Sequence, residues 1–175
     1  MVAPVPDLHT LEETERAVAR HTSHLSLDVA SMYAVSSSFR AGNAVRDTRT
    51  RDVLRPHDLT WTGFLVLWIL WIWESRESHE VASAVGITKA TLTGVVHTLT
   101  TRGWVDREVP AMDRRRVRLT LTSSGLALMD ELFPRFNAEE SRAVSALTPA
   151  EIATLTNLLR KVVRTYEVED ESPSA

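Results

Sequence analysis

The sequence contains no cysteine, and this absence excludes several classes of function. Without a thiol the chain has no disulfide framework, no thiolate nucleophile, no cysteine-ligated zinc and no thiol-based peroxide sensor. It also lacks a glycine-rich phosphate loop, a metal-ligand cluster and a strained serine elbow, so we expect no enzyme activity and no cofactor. His21 and His24 are one helical turn apart, but a structural zinc site needs about four ligands, so we predict no metal site.

Hydrophobic runs long enough to span a membrane are also missing. The longest, from Phe64 to Trp73, is too short for a membrane span, which needs roughly 20 apolar residues. It therefore predicts a buried core helix, although its tryptophans would also suit the lining of a ligand pocket. The first residues do not combine a basic start with an apolar run, so we expect no signal peptide and a cytoplasmic location.

Positive charge is slightly outnumbered by negative charge overall but is locally concentrated. The formal net charge is -3, and acidic residues gather towards both ends of the chain. Two arginine-rich stretches contrast with this balance, and local basic patches of this kind indicate a nucleic-acid partner. The arginines are Arg40, Arg46, Arg49, Arg51 and Arg55 in the first stretch, and Arg102, Arg107, Arg114, Arg115, Arg116 and Arg118 in the second.

A helix-turn-helix is predicted between Ser78 and Gly103. Ser78 can cap a short helix that Gly86 ends, and Thr88 can cap a second helix after a turn of about three residues. Apolar residues of the second helix recur at helical spacing, from Leu92 to Leu99, and predict a buried face. The opposite face is small or polar and has no acid, as a helix in a major groove requires. It comprises Lys89, Ala90, Thr91, Gly94, His97 and Thr98.

A β-hairpin is predicted directly after this unit. Residues 104–109 and 117–121 alternate between apolar and polar side chains, and a Pro110-to-Asp113 interruption separates the two strands. The tip carries three consecutive arginines, Arg114 to Arg116. Such a hairpin is the wing of a winged helix, and its arginines would reach the minor groove or the phosphates beside the recognition helix.

The flanking segments are predicted to be helical, which makes the fold mainly α with a small β-hairpin wing. Helices are expected over about 10–21, 27–53, 60–73 and 125–146, with Thr10 capping the first, Thr60 the third and either Thr122 or Ser123 the fourth. Thr148-Pro149-Ala150-Glu151 is a strong helix start, in which Thr148 is the N-cap and Glu151 completes a capping box. We therefore expect a winged helix-turn-helix lobe with helical regions on both sides of it in the chain. The predicted organisation is a loose N-terminus over 1–9, N-terminal helices over 10–56, the DNA-binding domain over 57–121, C-terminal helices over 122–168 and a disordered tail over 169–175.

The chain resembles the MarR family of bacterial transcription regulators. The resemblance is carried by LTWTGFLVLWIL, HEVASAVGITKATLTGVVHTLTTRGWVDRE and DRRRVRLTLTSSG, in that order and with family spacing. It implies a homodimer whose helical dimerisation region is formed by the dimerisation helices over 10–56 and 122–168. This dimer would bind a palindromic DNA operator, with Arg115 entering the minor groove and Asp113 orienting its guanidinium. The DNA-contacting residues that it implies are Ser78, Thr88, Lys89, Ala90, Thr91, Gly94, His97, Arg114, Arg115 and Arg116.

The resemblance also implies a small-molecule effector, because many relatives respond to aromatic acids or phenols bound between the two regions. Leu65 stands where urate-responsive members carry an acid, so urate is not expected. We expect a repressor released by such a ligand. The alternative is a winged-helix protein-interaction module with weak non-specific DNA binding. The candidate pocket residues are Arg40, Arg46, Trp61, Phe64 and Trp68.

Overall fold

A computed structural model describes residues 10–109 and 116–170, and it divides into two compact units. The first unit ends at Ala44 and contains helix α1, Leu11–His21, and most of helix α2, Val29–Arg49. As predicted, Thr10 caps α1, with its side chain accepting a hydrogen bond from the Glu13 amide. The two helices are joined by the Tyr33 hydroxyl, which donates to the carbonyl of Glu15 at 3.3 Å.

The α2 helix starts later and ends earlier than the sequence predicted. Asp28 caps it, because its carboxylate accepts hydrogen bonds from both the amide and the hydroxyl of Ser31. After Arg49 the chain forms a π-helical turn, Thr50–Leu54, followed by a 3-10 turn, Arg55–His57. The π turn places Val53 and Leu54 side by side in the core, at 3% and 0% exposure. Local periodicity cannot predict this extra residue in the turn.

The second unit, from Val45 onwards, is built around helix α3, Trp61–Trp73. Thr60 caps α3 by accepting from the amide of Gly63, as predicted. The apolar run is a core helix, since Phe64, Val66 and Leu67 are all at most 2% exposed. Among the described residues, no helix is long and apolar enough to cross a membrane.

A three-stranded antiparallel sheet and two helices complete the lobe. They follow α3 in the order β1, Arg76–Glu77; α4, Ser78–Val85; α5, Lys89–Thr101; β2, Val105–Glu108; and β3, Arg118–Leu121. The sheet order is β1-β3-β2, so β3 lies in the centre and both other strands pair with it. The two predicted wing strands are confirmed, whereas β1 was not predicted.

Two long helices close the described chain. Helix α6, Ser123–Ala143, begins after its cap Thr122 and contains Pro134, and it ends three residues before the predicted Ala146. Helix α7, Pro149–Asp170, starts with the predicted box, in which the Thr148 amide donates to Glu151 at 2.8 Å. It extends two residues into the predicted tail, and the remainder of that tail lies outside the described residues.

Candidate nucleic-acid interface

The helix-turn-helix is formed by α4, a turn of three residues, and α5. Gly86 ends α4 with a φ of 72°, in the left-handed region that favours glycine. The amide of Ile87 then donates to the carbonyl of Ala82 at 3.0 Å, which closes the turn. Thr88 is the N-cap of α5, accepting from the amide of Thr91 at 3.1 Å. The predicted helix-turn-helix spacing is therefore present.

Helix α5 separates a core face from a solvent face. Leu92, Val96 and Leu99 are 2%, 6% and 2% exposed and form the core face. The opposite side is open, and its sequence contains no acidic residue, so a polyanion can approach it without charge repulsion. The exposed residues there include Lys89, Ala90, Thr91, Gly94, His97 and Thr98, which are the residues predicted for this face.

The hydroxyls of this face are partly engaged within the helix. Thr88 and Thr91 share a hydrogen bond between their hydroxyls at 2.9 Å. The Thr98 hydroxyl donates to the carbonyl of Gly94 at 3.2 Å. Lys89 and His97 are therefore the charged or ionisable donors that α5 presents outward. Gly94 leaves open space beside the backbone, because a Cβ added there would have no neighbouring atom within 4 Å.

A groove of about 360 Å³ lies between α5, the start of α4 and the wing. Its floor is apolar and includes Leu92 and Val96. Its rim carries Lys89, His97 and Arg107 as nitrogen donors. Since phosphate contacts are made by such donors, the groove suits a DNA backbone lying against the recognition helix.

The wing is described at its base and not at its tip. Strands β2 and β3 pair in register from Val105 opposite Leu121 to Glu108 opposite Arg118. The predicted tip residues Asp113, Arg114 and Arg115 lie outside the described residues. Arg116 is described: it is exposed, and its Nε lies 3.0 Å from Oε1 of Glu77.

Ser78 has a different structural role from the predicted cap, because Glu77 is the residue that caps α4. The predicted cap is wrong because β1 ends at Glu77 and α4 begins at Ser78 itself, so the residue before the helix is Glu77. The Ser78 hydroxyl donates to the carbonyl of Val117 at 2.9 Å, and its amide donates to the same oxygen at 2.8 Å. Ser78 therefore fastens the start of α4 to the base of the wing.

The predicted pocket residues occupy dissimilar environments. Phe64 is 2% exposed and stacks on Phe136 at 4.3 Å, so it is a core residue. Trp61 and Trp68 are half-buried beside this core, with Trp61 stacked 6.0 Å from Phe136. Arg46 is exposed and contacts the carboxylate of Asp47 at 3.4 Å. Arg40 is exposed and belongs to the first unit.

One arginine of the first arginine-rich stretch, Arg49, is mostly buried near these rings, with a side chain that is 14% exposed. Arg49 lies over Phe136, with its guanidinium carbon 4.4 Å from the ring centroid, and it contacts Glu140 at 3.3 Å. Its Nε is buried without a hydrogen-bond partner among the described residues. Burial lowers the pKa of Arg49, opposed by the neighbouring Glu140 and Glu139. No periodic signal marks it, because it immediately precedes the π turn.

The predicted absence of a metal site concerned His21 and His24. Among residues 10–109 and 116–170, no group of three or more histidine, cysteine, aspartate or glutamate side chains could hold a metal ion.

Comparison with known proteins identifies relatives of this arrangement. The MarR family profile matches residues 59–117, which include α3, α4, α5 and β2. The chain is 32% identical over 137 residues to YwaE of Bacillus subtilis, an uncharacterised helix-turn-helix transcription regulator, covering 78% of this chain and 80% of YwaE.

Two solved structures share the fold. One is Bordetella bronchiseptica BpsR, whose DNA binding is regulated by 6-hydroxynicotinic acid; it has a TM-score of 0.68 and 28% identity, covering 74% of this chain and 98% of BpsR. The other is NadR in complex with 4-hydroxyphenylacetate, with a TM-score of 0.60 and 25% identity, covering 72% of this chain and 89% of NadR.

Proposed function

Because the chain belongs to the MarR family of transcription regulators, we propose that it binds a palindromic operator as a homodimer and represses transcription until an acidic or aromatic ligand releases it. The observation that carries this proposal is the acid-free, exposed face of α5 beside the basic groove of the wing. A helix with small residues at its surface can lie deep in a major groove.

In the proposed complex α5 lies in the major groove. Lys89 and His97 reach phosphates or base edges, while Ala90, Thr91 and Gly94 allow close approach of the helix backbone. Thr88 shapes the start of the helix through its hydrogen bonds with Thr91.

The wing makes the second contact. Arg115 enters the minor groove with Asp113 holding its guanidinium, and Arg114 and Arg116 contact phosphates on either side. The tight base of the wing, where Ser78 and Val117 are joined by two hydrogen bonds, supports this placement.

Dimerisation is supported by apolar side chains that the single chain leaves uncovered. An uninterrupted exposed stripe of this length on a helix is typical of a surface that a partner covers. In a homodimer the stripe of one copy would pack against the other, and palindromic half-sites would be met about one helical turn apart, roughly 34 Å. The stripe on α7 comprises Leu155, Leu158, Leu159, Val162, Val163 and Tyr166, which are 40–68% exposed.

The ligand part of the proposal rests on the two solved relatives, whose ligands are both aromatic acids. In this chain Trp61 and Trp68 offer half-buried rings, and Arg46 offers an exposed guanidinium for the carboxylate. Release requires that the ligand bind more tightly to a form whose lobes cannot reach both half-sites. Addition of 6-hydroxynicotinic acid or 4-hydroxyphenylacetate to the DNA complex, with Arg46→Ala as the comparison variant, tests this step.

A second candidate function is a winged-helix protein-interaction module with weak non-specific DNA binding. The end of α3 favours it, because Ile72 and Trp73 are 46% and 56% exposed, which is unusual for large apolar side chains on a lobe with a well-filled core.

The deciding experiment is a gel shift with footprinting on the DNA immediately upstream of the gene, across a salt series. Protection of a palindrome, with affinity that falls as salt rises and on Lys89→Ala or Arg115→Ala, supports the regulator. The matched control is Arg135→Ala, an exposed arginine of α6 outside both the proposed DNA interface and the apolar stripe of α7. Weak, sequence-independent binding that ignores these changes supports the second candidate.

A further inference from the structure

The carboxylate of Glu77 lies between two basic side chains at the base of the wing. Its Oε1 is 3.0 Å from Nε of Arg116, and its Oε2 is 3.4 Å from Nδ1 of His79. The Glu77 side chain is only 17% exposed, whereas that of Arg116 is 66% exposed. The acid is therefore held inside the structure and the arginine projects from it.

The backbone on both sides of this ion pair is fixed. Glu77 is in β1, opposite Arg118 of β3, and its amide donates to the Glu80 carboxylate at 2.8 Å. The next residue, Ser78, makes two hydrogen bonds to the carbonyl of Val117, which directly follows Arg116. The ion pair thus links two chain segments that are already held together, so its acidic member is a rigid anchor.

We propose that Glu77 is a positioning residue, which grips Arg116 by its Nε so that the outer edge of the guanidinium faces a DNA phosphate beside the wing. This inference rests on the proposed DNA contact of Arg116. A free arginine side chain must lose rotamer freedom when it binds a phosphate, and an anchor that already fixes it reduces that loss. Pairing also neutralises an acid that would otherwise repel the DNA.

The opposite role would be sequestration, in which Glu77 competes with the phosphate for Arg116. Positioning and sequestration predict opposite signs. If Glu77 positions Arg116, removing the carboxylate weakens DNA binding. If Glu77 sequesters Arg116, the same change strengthens binding and steepens its salt dependence, because one more cation becomes free to displace counterions.

The experiment is a double-mutant cycle on the full-length protein with Glu77→Ala, Arg116→Ala and the combined variant. Fluorescence anisotropy with a labelled duplex of the DNA upstream of the gene gives Kd over a salt series. We expect Arg116→Ala to weaken binding about tenfold and to lower the salt slope by about 0.9. Glu77→Ala should weaken binding nearly as much, and the combined variant should be no weaker than Arg116→Ala alone.

Control variants separate positioning from a purely structural role. Glu77→Gln keeps an oxygen that can accept from Nε and should retain part of the affinity, which also covers the case in which Glu77→Ala does not fold. Arg135→Ala, at an exposed arginine of α6, leaves the Glu77–Arg116 pair and the groove unchanged and should bind as the unmodified protein does. If Glu77 had only a structural role, its effect would be independent of Arg116. The Kd of the combined variant would then be raised by the product of the two single fold-changes.

The outcomes that overturn the proposal are distinct. Tighter binding by Glu77→Ala, or multiplicative losses in the combined variant, would overturn the positioning role while leaving Arg116 as a DNA contact. If Arg116→Ala binds DNA as tightly as the unmodified protein, Arg116 does not contact DNA, and the positioning role of Glu77 is overturned with it. Failure of the unmodified protein to bind the duplex would count against the proposed function itself.

Discussion

Arg102, at the end of α5, donates a hydrogen bond from its NH1 to the carbonyl of His57 at 2.8 Å, across 45 residues of sequence. The guanidinium also lies over the ring of Trp104, 5.0 Å from its centroid, and its NH2 is 3.7 Å from the Asp58 carboxylate. The recognition helix is thereby attached to the chain that leads into α3.

Replacement of Arg102 by alanine should lower the free energy of unfolding by about 1–2 kcal/mol, because a charged hydrogen bond and a cation–π contact are lost together. Urea denaturation followed by circular dichroism measures the change. Arg135→Ala, at an exposed arginine of α6, is the matched control and should unfold within about 0.5 kcal/mol of the unmodified protein. Equal effects of the two changes would show that the His57 contact contributes nothing.

Gly125 should be intolerant of a side chain. A Cβ at this position would collide with the carbonyl oxygen of Trp104, a backbone atom that cannot rotate away. Gly125→Ala should therefore destabilise the fold by about 1–3 kcal/mol, measured by thermal or urea unfolding. An unchanged stability would mean that α6 can shift away from Trp104 without cost.

Replacement of Gly94 by alanine should raise the stability of the fold but lower the affinity for DNA. It is exposed within α5, and a Cβ there would meet nothing within 4 Å, so Gly94→Ala should stabilise the helix by about 0.5–1 kcal/mol. If the helix backbone lies against DNA at this point, the added methyl group should weaken binding by up to about tenfold. Measurement of both the DNA Kd and the free energy of unfolding of Gly94→Ala tests this prediction. An unchanged Kd would mean that the DNA does not approach the backbone of α5 closely at Gly94.

Acid should loosen the start of α7. Hydrogen bonds from the amide and the hydroxyl of Thr148 lower the pKa of Glu151. Because this folded pKa is below the unfolded one, the stabilisation is complete above the ordinary glutamate pKa of about 4.3 and is lost as the pH falls through the lower folded value.

Carbon-13 NMR titration of the Glu151 carboxyl measures this pKa directly. Glu151→Gln keeps an accepting oxygen but cannot ionise, so amide exchange in the first turn of α7 should lose its acid dependence in that variant. A measured pKa at or above about 4.3 would mean that the Thr148 hydrogen bonds do not form in solution.

Local signals account for the elements that the sequence predicted correctly. Thr60, Thr88 and Thr122 all cap the helices that follow them, and the strand alternation around Leu119 and Leu121 identified the wing. Such features depend on neighbouring residues, so periodicity and capping chemistry reveal them.

The features that the sequence did not predict depend on distant partners. Strand β1 has only two residues and exists because Arg76 pairs with Leu119. Glu77 of β1 contacts Arg116, which precedes β3, and Arg49 packs over the ring of Phe136 in α6. Neither contact leaves a local pattern, because each is created when separate elements pack together.

The division of α5 into two faces has an evolutionary consequence. Its core residues, such as Leu92 and Leu99, and its outward residues, such as Thr91, Gly94 and His97, share no position. Substitutions on the outward face can therefore accumulate without disturbing the packing that keeps the lobe folded. A lineage that carries this scaffold can acquire new genomic targets while its architecture stays under separate selection.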